Sequence, residues 1–232
     1  MRFTDGVERS PVKLLLATHN EHKRRELARL LLGHEVELLP AEVTLPPEVG
    51  ETFAENALGK ARAAARATGR VSIADDSGIE AAALGGAPGV RSARYAGEHA
   101  SDEENLAKLL REAPAGSGLA YVCALVYVDP RGQGEERVFE ARCEGRLAAH
   151  PRGAGGFGYD PAFVPVDSPP EEGRADEGQP DEGHLHEGQP DDRPAAESPA
   201  ERTMAELSDE QKDAISHRGR AARQLLEWLR AG

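Results

Sequence analysis

"VKLLLATHNEHKRRELARLLLG", residues 12–33, decides the fold class. A short apolar run is followed by the polar residues Thr18–Asn20 and then by leucines at helical spacing, which end at Gly33. The apolar run is typical of a β-strand, and the leucine spacing is typical of an amphipathic α-helix. The stretch therefore predicts a strand, a polar turn and a helix, which together form the basic unit of an α/β domain.

Helix-capping patterns predict three more helices further along the chain. Thr52 with Glu55, and Ser101 with Glu104, have the spacing of a capping box at the start of a helical pattern. A single last helix is predicted near the end of the sequence, capped by Ser208. These helices lie between stretches that have the composition of strands.

Three further stretches predict strands. Residues 71–78, "VSIADDSG", predict a strand that breaks into a polar turn. Residues 119–129 predict a central strand, and residues 136–147 alternate as a neighbouring strand does, with a turn at 130–134 between them. Because helices and strands interleave, we expect one α/β domain over residues 12–232.

The net charge of the chain is concentrated in one segment. The formal charge is −13; residues 167–201 hold twelve Asp or Glu against two Arg, which gives −10 and leaves −3 for the rest. This segment is rich in Gly and Pro and poor in apolar residues, so we expect a disordered insertion within the domain. Residues 1–11 are expected to form an N-terminal extension. Since the remainder is nearly neutral, we expect neither nucleic acid nor a membrane as partner.

The sequence also indicates a compartment. It contains no apolar run of about 18 residues, and residues 1–13 contain no apolar signal region. Cys123 and Cys143 fit neither a disulfide framework nor a zinc site, so both are predicted to be reduced thiols. We therefore expect a cytoplasmic protein.

The turn after the first strand is a candidate anion site. Thr18 and Asn20 lie where the strand enters the helix, and free backbone N–H groups at a helix N-terminus favour an anion. Lys23 adds a positive charge one turn later. The alternative is that Thr18 and Asn20 only cap the helix.

The adjacent residues Asp75 and Asp76 are a candidate cation site. In an extended strand the two side chains point to opposite sides, so one carboxylate can face a cleft. Mg²⁺ requires few protein oxygens when a substrate supplies phosphates, so one Asp with one Glu, such as Glu48 or Glu55, would suffice. The alternative is that "DDSG" is only a turn.

Two further segments could recognise a ligand. In "GGFGYDP", residues 155–161, Phe157 and Tyr159 would share a face of an extended segment and form a platform for a flat ligand. The alternative is a turn that leads core aromatics into a strand. In "ISHRG", residues 215–219, His217 and Arg218 offer donors to phosphate or to a base rich in carbonyls, or form only an exposed basic pair.

Five blocks of the sequence, taken in order, resemble the signature blocks of one enzyme family. The blocks are "TxNxxKxxEL" (18–27), "TFAENALGKA" (52–61), "ADDSGIEAAALGGAPGVRSARYAG" (74–97), "GGFGYDPAF" (155–163) and "AISHRGRA" (214–221). The family is that of the inosine triphosphate pyrophosphatases, also called XTP/dITP diphosphatases. The resemblance covers residues 12–166 and 201–230.

The resemblance implies a fold and an activity. The fold would be a mixed central β-sheet flanked by helices, with the nucleotide cleft between two lobes. The activity would be Mg²⁺-dependent hydrolysis of XTP, dITP and ITP to the monophosphate and pyrophosphate, with one Mg²⁺ per subunit of a homodimer. A Maf-like nucleotide pyrophosphatase and a nucleotide-binding regulator without turnover remain as alternatives.

The resemblance also implies roles for individual residues. Asp76 would be both a metal ligand and the proton acceptor for the attacking water, and Glu48 or Glu51 would be the second metal ligand, with Glu48 the better match. Arg202 would take the place of a substrate-binding lysine. The other residues implied in substrate binding are Thr18, His19, Asn20, Glu21, His22, Lys23 and Lys60 for the triphosphate, Ser77 beside Asp76, Phe157, Gly158, Tyr159 and Asp160 for the base or sugar, and His217 and Arg218 for the 6-keto oxygen.

Overall fold

In the computed structural model, a six-stranded sheet carries helices on both faces; the structure describes residues 12–167, 169 and 202–231. The strands are β1 (Lys13–Leu16), β2 (Glu35–Leu38), β3 (Ser72–Ala81), β4 (Gly118–Asp129), β5 (Glu135–Leu147) and β6 (Phe163–Pro165). The helices are α1 (Glu21–Leu30), α2 (Phe53–Thr68), α3 (Asp102–Glu112), α4 (Asp209–Ile215) and α5 (His217–Ala231).

The sheet is mixed, with the spatial order β2, β1, β3, β4, β5, β6. Strand β1 runs parallel to both β2 and β3, whereas β3, β4, β5 and β6 pair antiparallel in sequence. The predicted hairpin of β4 and β5 is therefore confirmed. The mixed sheet flanked by helices, which the resemblance implied, is also confirmed.

Each face of the sheet has its own core. On one face, the alanines of α2, such as Ala57 and Ala61, pack in the same cluster as Ala74 and Val126 of the strands. On the other face, leucines of β1 and β4 cluster with the apolar residues of α1 and α5. Because consecutive strand residues point to opposite faces, the central strands β1, β3 and β4 supply both cores.

The cleft arises because β1 is short and β3 is long. Strand β1 pairs with β3 only at Leu15–Ser72 and Leu16–Ile73, and β3 then continues to Ala81. Past Ile73, no strand in the described part of the chain pairs with β3 on the β1 side, where only Glu80 forms an isolated bridge, with Pro88. The turn between β1 and α1 passes beside this edge. This topology brings two Asp residues of β3 close to the N-terminus of α1.

Two of the predictions about elements were wrong, and two short strands were missed. Strand β3 does not break at "DDSG". It pairs with β4 over its whole length, because every β3 residue from Ser72 to Ala81 has a backbone partner in β4. The last helix is two helices, since Ser216 is extended (φ −65°, ψ 155°) and its Oγ accepts the N–H of Gly219 at 3.0 Å, as an N-cap does. Strands β2 and β6, only four and three residues long, were not predicted.

The other local predictions hold where they can be checked. The capping boxes at Thr52 and Ser101 are both formed, and Ser208 caps α4. The predicted extension 1–11 lies outside the described residues, as does the predicted insertion 167–201 apart from residues 167 and 169. In the described part of the chain, no helix is both long and apolar enough to span a bilayer.

Candidate active site

A cavity of about 450 Å³ opens at the free edge of β3. It is bounded by the turn before α1, by the segment that precedes α2, by residues 157–160 and by the junction of α4 and α5. Most of the residues implied by the resemblance lie on its wall: Thr18, His19, Asn20, Lys23, Glu48, Lys60, Asp76, Ser77, Phe157, Gly158, Tyr159, Asp160, His217 and Arg218.

The turn before α1 both caps the helix and faces the cavity. The side chain of Asn20 accepts hydrogen bonds from the backbone N–H groups of His22 (2.9 Å) and Lys23 (3.1 Å), so the capping alternative is realised. Lys23 also reaches the cavity, where its ammonium lies 3.2 Å from a carboxylate oxygen of Asp75. Glu21 and His22 are not on the cavity wall; Glu21 pairs with Arg24 instead.

The two adjacent aspartates of β3 have opposite environments, as their alternation predicted. Asp75 is fully buried on the α1 and α5 side, between Lys23 and the guanidinium of Arg218, whose Nη2 lies 3.0 Å away. Burial raises the pKa of Asp75, but the charges of Lys23 and Arg218 outweigh it, so the pKa lies well below its ordinary value. Asp75 is therefore a permanent anion that holds two cations beside the cavity.

Asp76 faces the α2 side and lines the cavity. Its Oδ2 accepts a hydrogen bond from Asn56 (2.9 Å) and its Oδ1 accepts one from the backbone N–H of Ser77 (3.0 Å). Burial, with the nearby charge of Glu48, raises the pKa of Asp76 above its ordinary value, although Lys60 partly offsets this. A buried carboxylate with a raised pKa and an open cavity beside it is suited to accept a proton.

The residues around Asp76 fit a hard divalent cation. Glu48 lies on the same cavity wall and is close enough to raise the pKa of Asp76, and Lys60 forms an ion pair with Glu48 while it donates to the backbone oxygen of Asp75 (2.8 Å). No group of three or more metal-binding side chains occurs among the described residues. Two carboxylates nevertheless match Mg²⁺, which takes few protein ligands when phosphates complete its shell.

The positions of Glu48 and Glu51, between which the sequence left the second metal ligand open, favour Glu48. Glu48 lines the cavity that contains Asp76, whereas Glu51 lines a separate depression beside α2. The carboxylate of Glu55 is used by the helix cap, where it accepts the backbone N–H groups of Glu51 (2.8 Å) and Thr52 (3.3 Å). Of these three glutamates, Glu48 alone faces Asp76.

A chain of alternating buried charges connects the two ends of the cavity. Glu26 of α1 accepts from Lys212 at 2.6 Å and also pairs with Arg218. Lys212 in turn donates to Asp160 at 2.7 Å, and Arg218 donates to Asp75. Each charge has an opposite neighbour, which is the arrangement that allows ionised groups to be buried.

The donors of this chain are not fully used. Lys212 has three N–H donors, of which Glu26 and Asp160 take two, and Arg218 has five, of which Glu26, Asp75 and Ser77 take four. Within the described part of the protein, one N–H group of each cation is thus left without a hydrogen-bond acceptor, and both cations lie over the ring of Phe157 beside the cavity.

His217 adds an uncharged ring to the same wall. It is stacked on Tyr121, with ring centroids 4.6 Å apart and an interplanar angle of 8°. Burial and the charges of Arg218 and Lys212 hold the pKa of His217 well below its ordinary value, so the imidazole is neutral. Its Nδ1 is buried and has no partner among the described residues, which leaves it available to a ligand.

The prediction that Phe157 and Tyr159 share a face of an extended segment was wrong. Residues 154–159 form bends and a turn, because Gly156 and Gly158 adopt positive φ angles of 70° and 64°. Phe157 stacks on His22 with a centroid distance of 4.9 Å, whereas Tyr159 is buried in the core and donates to the backbone oxygen of Ser92 at 2.8 Å. Of these two aromatic residues, Phe157 is the one that stays partly exposed at the cavity wall, and it is therefore the better candidate for a platform.

Comparison with known proteins identifies the family. The model described as "Ham1 family" matches residues 14–176 and 195–228. The chain belongs to the Ham1 family. It is 42% identical to the dITP/XTP pyrophosphatase of Corynebacterium efficiens, with 93% of this chain and 96% of the relative covered. It is 41% identical to the dITP/XTP pyrophosphatase of Mycobacterium tuberculosis, with 94% and 96% covered.

Solved Ham1 structures have the same fold. A HAM1 protein from Coxiella burnetii matches with a TM-score of 0.71 at 34% identity, over 95% of this chain and 100% of that one. A nucleoside-triphosphatase / dITP/XTP pyrophosphatase from Mycobacterium abscessus matches with a TM-score of 0.62 at 40% identity, over 92% and 98%. The resemblance inferred from the five sequence blocks is thereby confirmed.

The structure of this Ham1 chain does not bring Arg202 to the cavity. Arg202 donates to Gln211 at 3.2 Å and is absent from the cavity wall, where the buried Lys212 lies instead. Arg202 precedes "TMAEL" directly after the acidic segment, whereas Lys212 lies within α4, close to "ISHRG". Lys212 lies five residues before His217, and that spacing was the signal in the sequence that could have found it.

Three more residues beside the cavity were not anticipated. Glu26 and Asn56 lie inside quoted blocks, but nothing local shows that they meet Lys212, Arg218 or Asp76. Tyr121 lies within an apolar strand, where a core role is the ordinary expectation, yet its hydroxyl donates to Asp160 at 2.9 Å. These contacts depend on pairs of residues that are far apart in sequence.

Proposed function

We propose that this protein hydrolyses dITP, XTP and ITP to the nucleoside monophosphate and pyrophosphate, and so removes deaminated purine nucleotides before they enter DNA or RNA. One observation carries the proposal: a single cavity joins the carboxylates and cations around Asp76 to an aromatic platform and donor groups around His217. The names of the relatives, dITP/XTP pyrophosphatases at 41 to 42% identity, support it.

The end of the cavity around Asp76, called the phosphate end, supplies charge and a proton acceptor. Asp76 orients a water molecule and takes its proton as the water oxygen attacks the α-phosphorus; the bond from that phosphorus to the bridging oxygen breaks, and pyrophosphate leaves. Such transfer depends mainly on positioning and charge neutralisation. Lys23, Lys60 and the N–H groups at the start of α1 provide positive potential along the triphosphate.

A magnesium ion fits the same end of the cavity. Asp76 and Glu48 would hold it, with the substrate phosphates as further ligands. When bound, the ion would supply neutralisation of the phosphate charge. The chain's own contribution is the pair of carboxylates and the two lysines that flank them.

The end of the cavity around His217, called the base end, accounts for the selectivity between 6-keto purines and adenine. The remaining N–H groups of Lys212 and Arg218 can donate to the 6-keto oxygen of hypoxanthine or xanthine, whereas neither residue can accept a hydrogen bond from the 6-amino group of adenine. A base with the amino group would leave buried donors unpaired, and sites built in this way discriminate by ~10⁴ or more. Phe157 would stack on the purine ring.

Pyrophosphate release tests the proposal. The purified protein is given ITP, dITP, ATP and UTP in turn, with and without Mg²⁺, and the first inorganic product is identified. We expect rapid pyrophosphate release from ITP and dITP only when Mg²⁺ is present. Equal turnover of ATP would refute the proposed selectivity, preferred turnover of UTP would favour a Maf-like enzyme, and tight binding without turnover would favour a regulator.

The proposal includes a homodimer in the cytoplasm. Cys123 and Cys143 are free and buried, which suits a reducing compartment. The dimer is carried over from the family that the sequence resembles. Sedimentation at micromolar concentration tests it: a single species of monomer mass would refute this part.

A further inference from the structure

Asn56, in the first turn of α2, connects two parts of the site without lining the cavity itself. It is buried, with 5% of its surface exposed. Its Nδ2 donates to Oδ2 of Asp76 at 2.9 Å, and its Oδ1 accepts the backbone N–H of Gly50 at 2.8 Å. One amide group therefore contacts the proposed proton acceptor and the loop that carries the proposed second metal ligand, Glu48.

Three other contacts within the described residues hold the loop that carries Glu48, and one of them is the ion pair between Lys60 and the Glu48 carboxylate. Arg94 donates to the backbone oxygen of Glu48 at 3.0 Å, and Glu55 holds the backbone N–H of Glu51. The position of Gly50 is tight: a Cβ atom there would lie 2.8 Å from Oδ1 of Asn56 and 2.8 Å from Cβ of Glu55. The close approach of the backbone to the amide thus requires a glycine at this position.

We infer that Asn56 is a positioning residue that fixes both the rotamer of Asp76 and the distance of Glu48 from it. The inference rests on the proposed function, because the two carboxylates matter only if they act together on a phosphate and its metal ion. The geometry agrees with the role: Asn56 carries no charge and does not line the cavity, yet it bonds to Asp76 and to the backbone two residues after Glu48.

Three substitutions separate the two contacts. Asn56→Asp keeps an oxygen acceptor for Gly50 but replaces the donor to Asp76 with a second carboxylate, which repels Asp76 and adds negative charge beside it. Gly50→Ala keeps Asn56 and Asp76 but displaces the loop. Asn56→Ala removes both contacts. Loss of partners that orient metal ligands typically costs about 10- to 100-fold in activity or metal affinity.

Asn105 provides the matched control. It is an equally buried asparagine in the first turn of α3, where its Oδ1 accepts the backbone N–H of Ala96 at 2.7 Å and its Nδ2 donates to the backbone oxygen of Ala93 at 3.2 Å. Asn105→Asp should also lower the melting temperature, because it loses the donor of a buried amide and places a carboxylate against a backbone oxygen. It should leave kcat unchanged.

The experiment measures kcat, KM for ITP, melting temperature and Mn²⁺ binding by electron paramagnetic resonance on the full chain. We expect Asn56→Asp to lower kcat about 10- to 100-fold with little change in KM, because Asn56 orients the proton acceptor but does not line the cavity. Gly50→Ala and Asn56→Ala should in addition weaken Mn²⁺ binding about tenfold.

Two results would overturn the inference. One is a folded Asn56→Ala protein with the kcat and Mn²⁺ affinity of the wild type. The other is a loss of kcat in Asn105→Asp as large as that in Asn56→Asp, since the effect would then follow from stability alone. Because Mn²⁺ binding requires no turnover, the loop contact is tested even if the wild type fails to release pyrophosphate from ITP.

Discussion

Replacement of Glu26 by Gln probes the buried charge chain at its centre. Glu26 is 8% exposed and contacts both Lys212, at 2.6 Å, and Arg218. A glutamine has the same size, but its single oxygen can accept from only one of the two cations, and its amide N–H₂ group faces the other. Removal of one partner from a buried pair costs about 3–5 kcal/mol.

The retained acceptor and the other partners, Asp75 and Asp160, reduce this cost. A hydrogen bond to a charged group contributes about 1.5–3 kcal/mol, so we expect Glu26→Gln to lose about 2–3 kcal/mol of unfolding free energy near pH 7. For a chain of this size, that corresponds to a fall in melting temperature of about 5–10 °C. Urea and thermal unfolding measure both quantities.

The loss should depend on pH in a defined direction. Burial raises the pKa of Glu26, but the charges of Arg218 and Lys212 lower it by more than burial raises it. The folded pKa therefore lies below the ordinary 4.5. The stabilising effect of the carboxylate is therefore fully present above pH 4.5 and is lost as the pH falls through the folded pKa. The difference between wild type and variant should be constant from pH 6 to 8 and shrink below about 4.5.

The same variant should discriminate less well between ITP and ATP, because Lys212 and Arg218 lose the group that orients both. The matched control is Asp213→Asn, which removes an ion pair between the same two helices, that of Arg29 with Asp213, away from the cavity. Asp213→Asn should lower the unfolding free energy by about 1 kcal/mol or less and leave the discrimination between ITP and ATP unchanged. A Glu26→Gln protein as stable and as selective as the wild type would refute the reasoning.

Three further predictions concern other parts of the site. Asp76→Asn should lower kcat about 10²- to 10⁴-fold while the nucleotide still binds, as measured by single-turnover kinetics and equilibrium binding; a kcat like that of the wild type would exclude Asp76 as proton acceptor. Phe157→Ala should weaken ITP binding by about 1–3 kcal/mol through lost stacking, seen as a rise in the dissociation constant, whereas unchanged binding would show that the base lies elsewhere. Deletion of residues 168–199 should leave activity intact; a fall of about tenfold in kcat/KM would show that the acidic segment takes part.

Local sequence signals predicted the parts of the fold that depend on neighbouring residues. The capping boxes at Thr52 and Ser101 are formed as expected, because each requires only side-chain and backbone groups three residues apart. The β4–β5 hairpin also followed from alternation and one turn. By contrast, "DDSG" has turn composition but remains extended, since pairing with β4 outweighs local preference.

The order of the five blocks determined the family and most of the cavity wall, because each block carries residue types whose chemistry can be read locally. Only the tertiary structure decided which of these residues meet. Glu26 and Lys212 are 186 positions apart, Asp75 and Arg218 are 143 apart, and Glu48 rather than Glu51 faces Asp76. The reason is physical. A buried charge is stable only beside an opposite charge, and these opposite charges come from distant parts of the sequence. They meet because β1 ends early beside the longer β3, which no local pattern indicates.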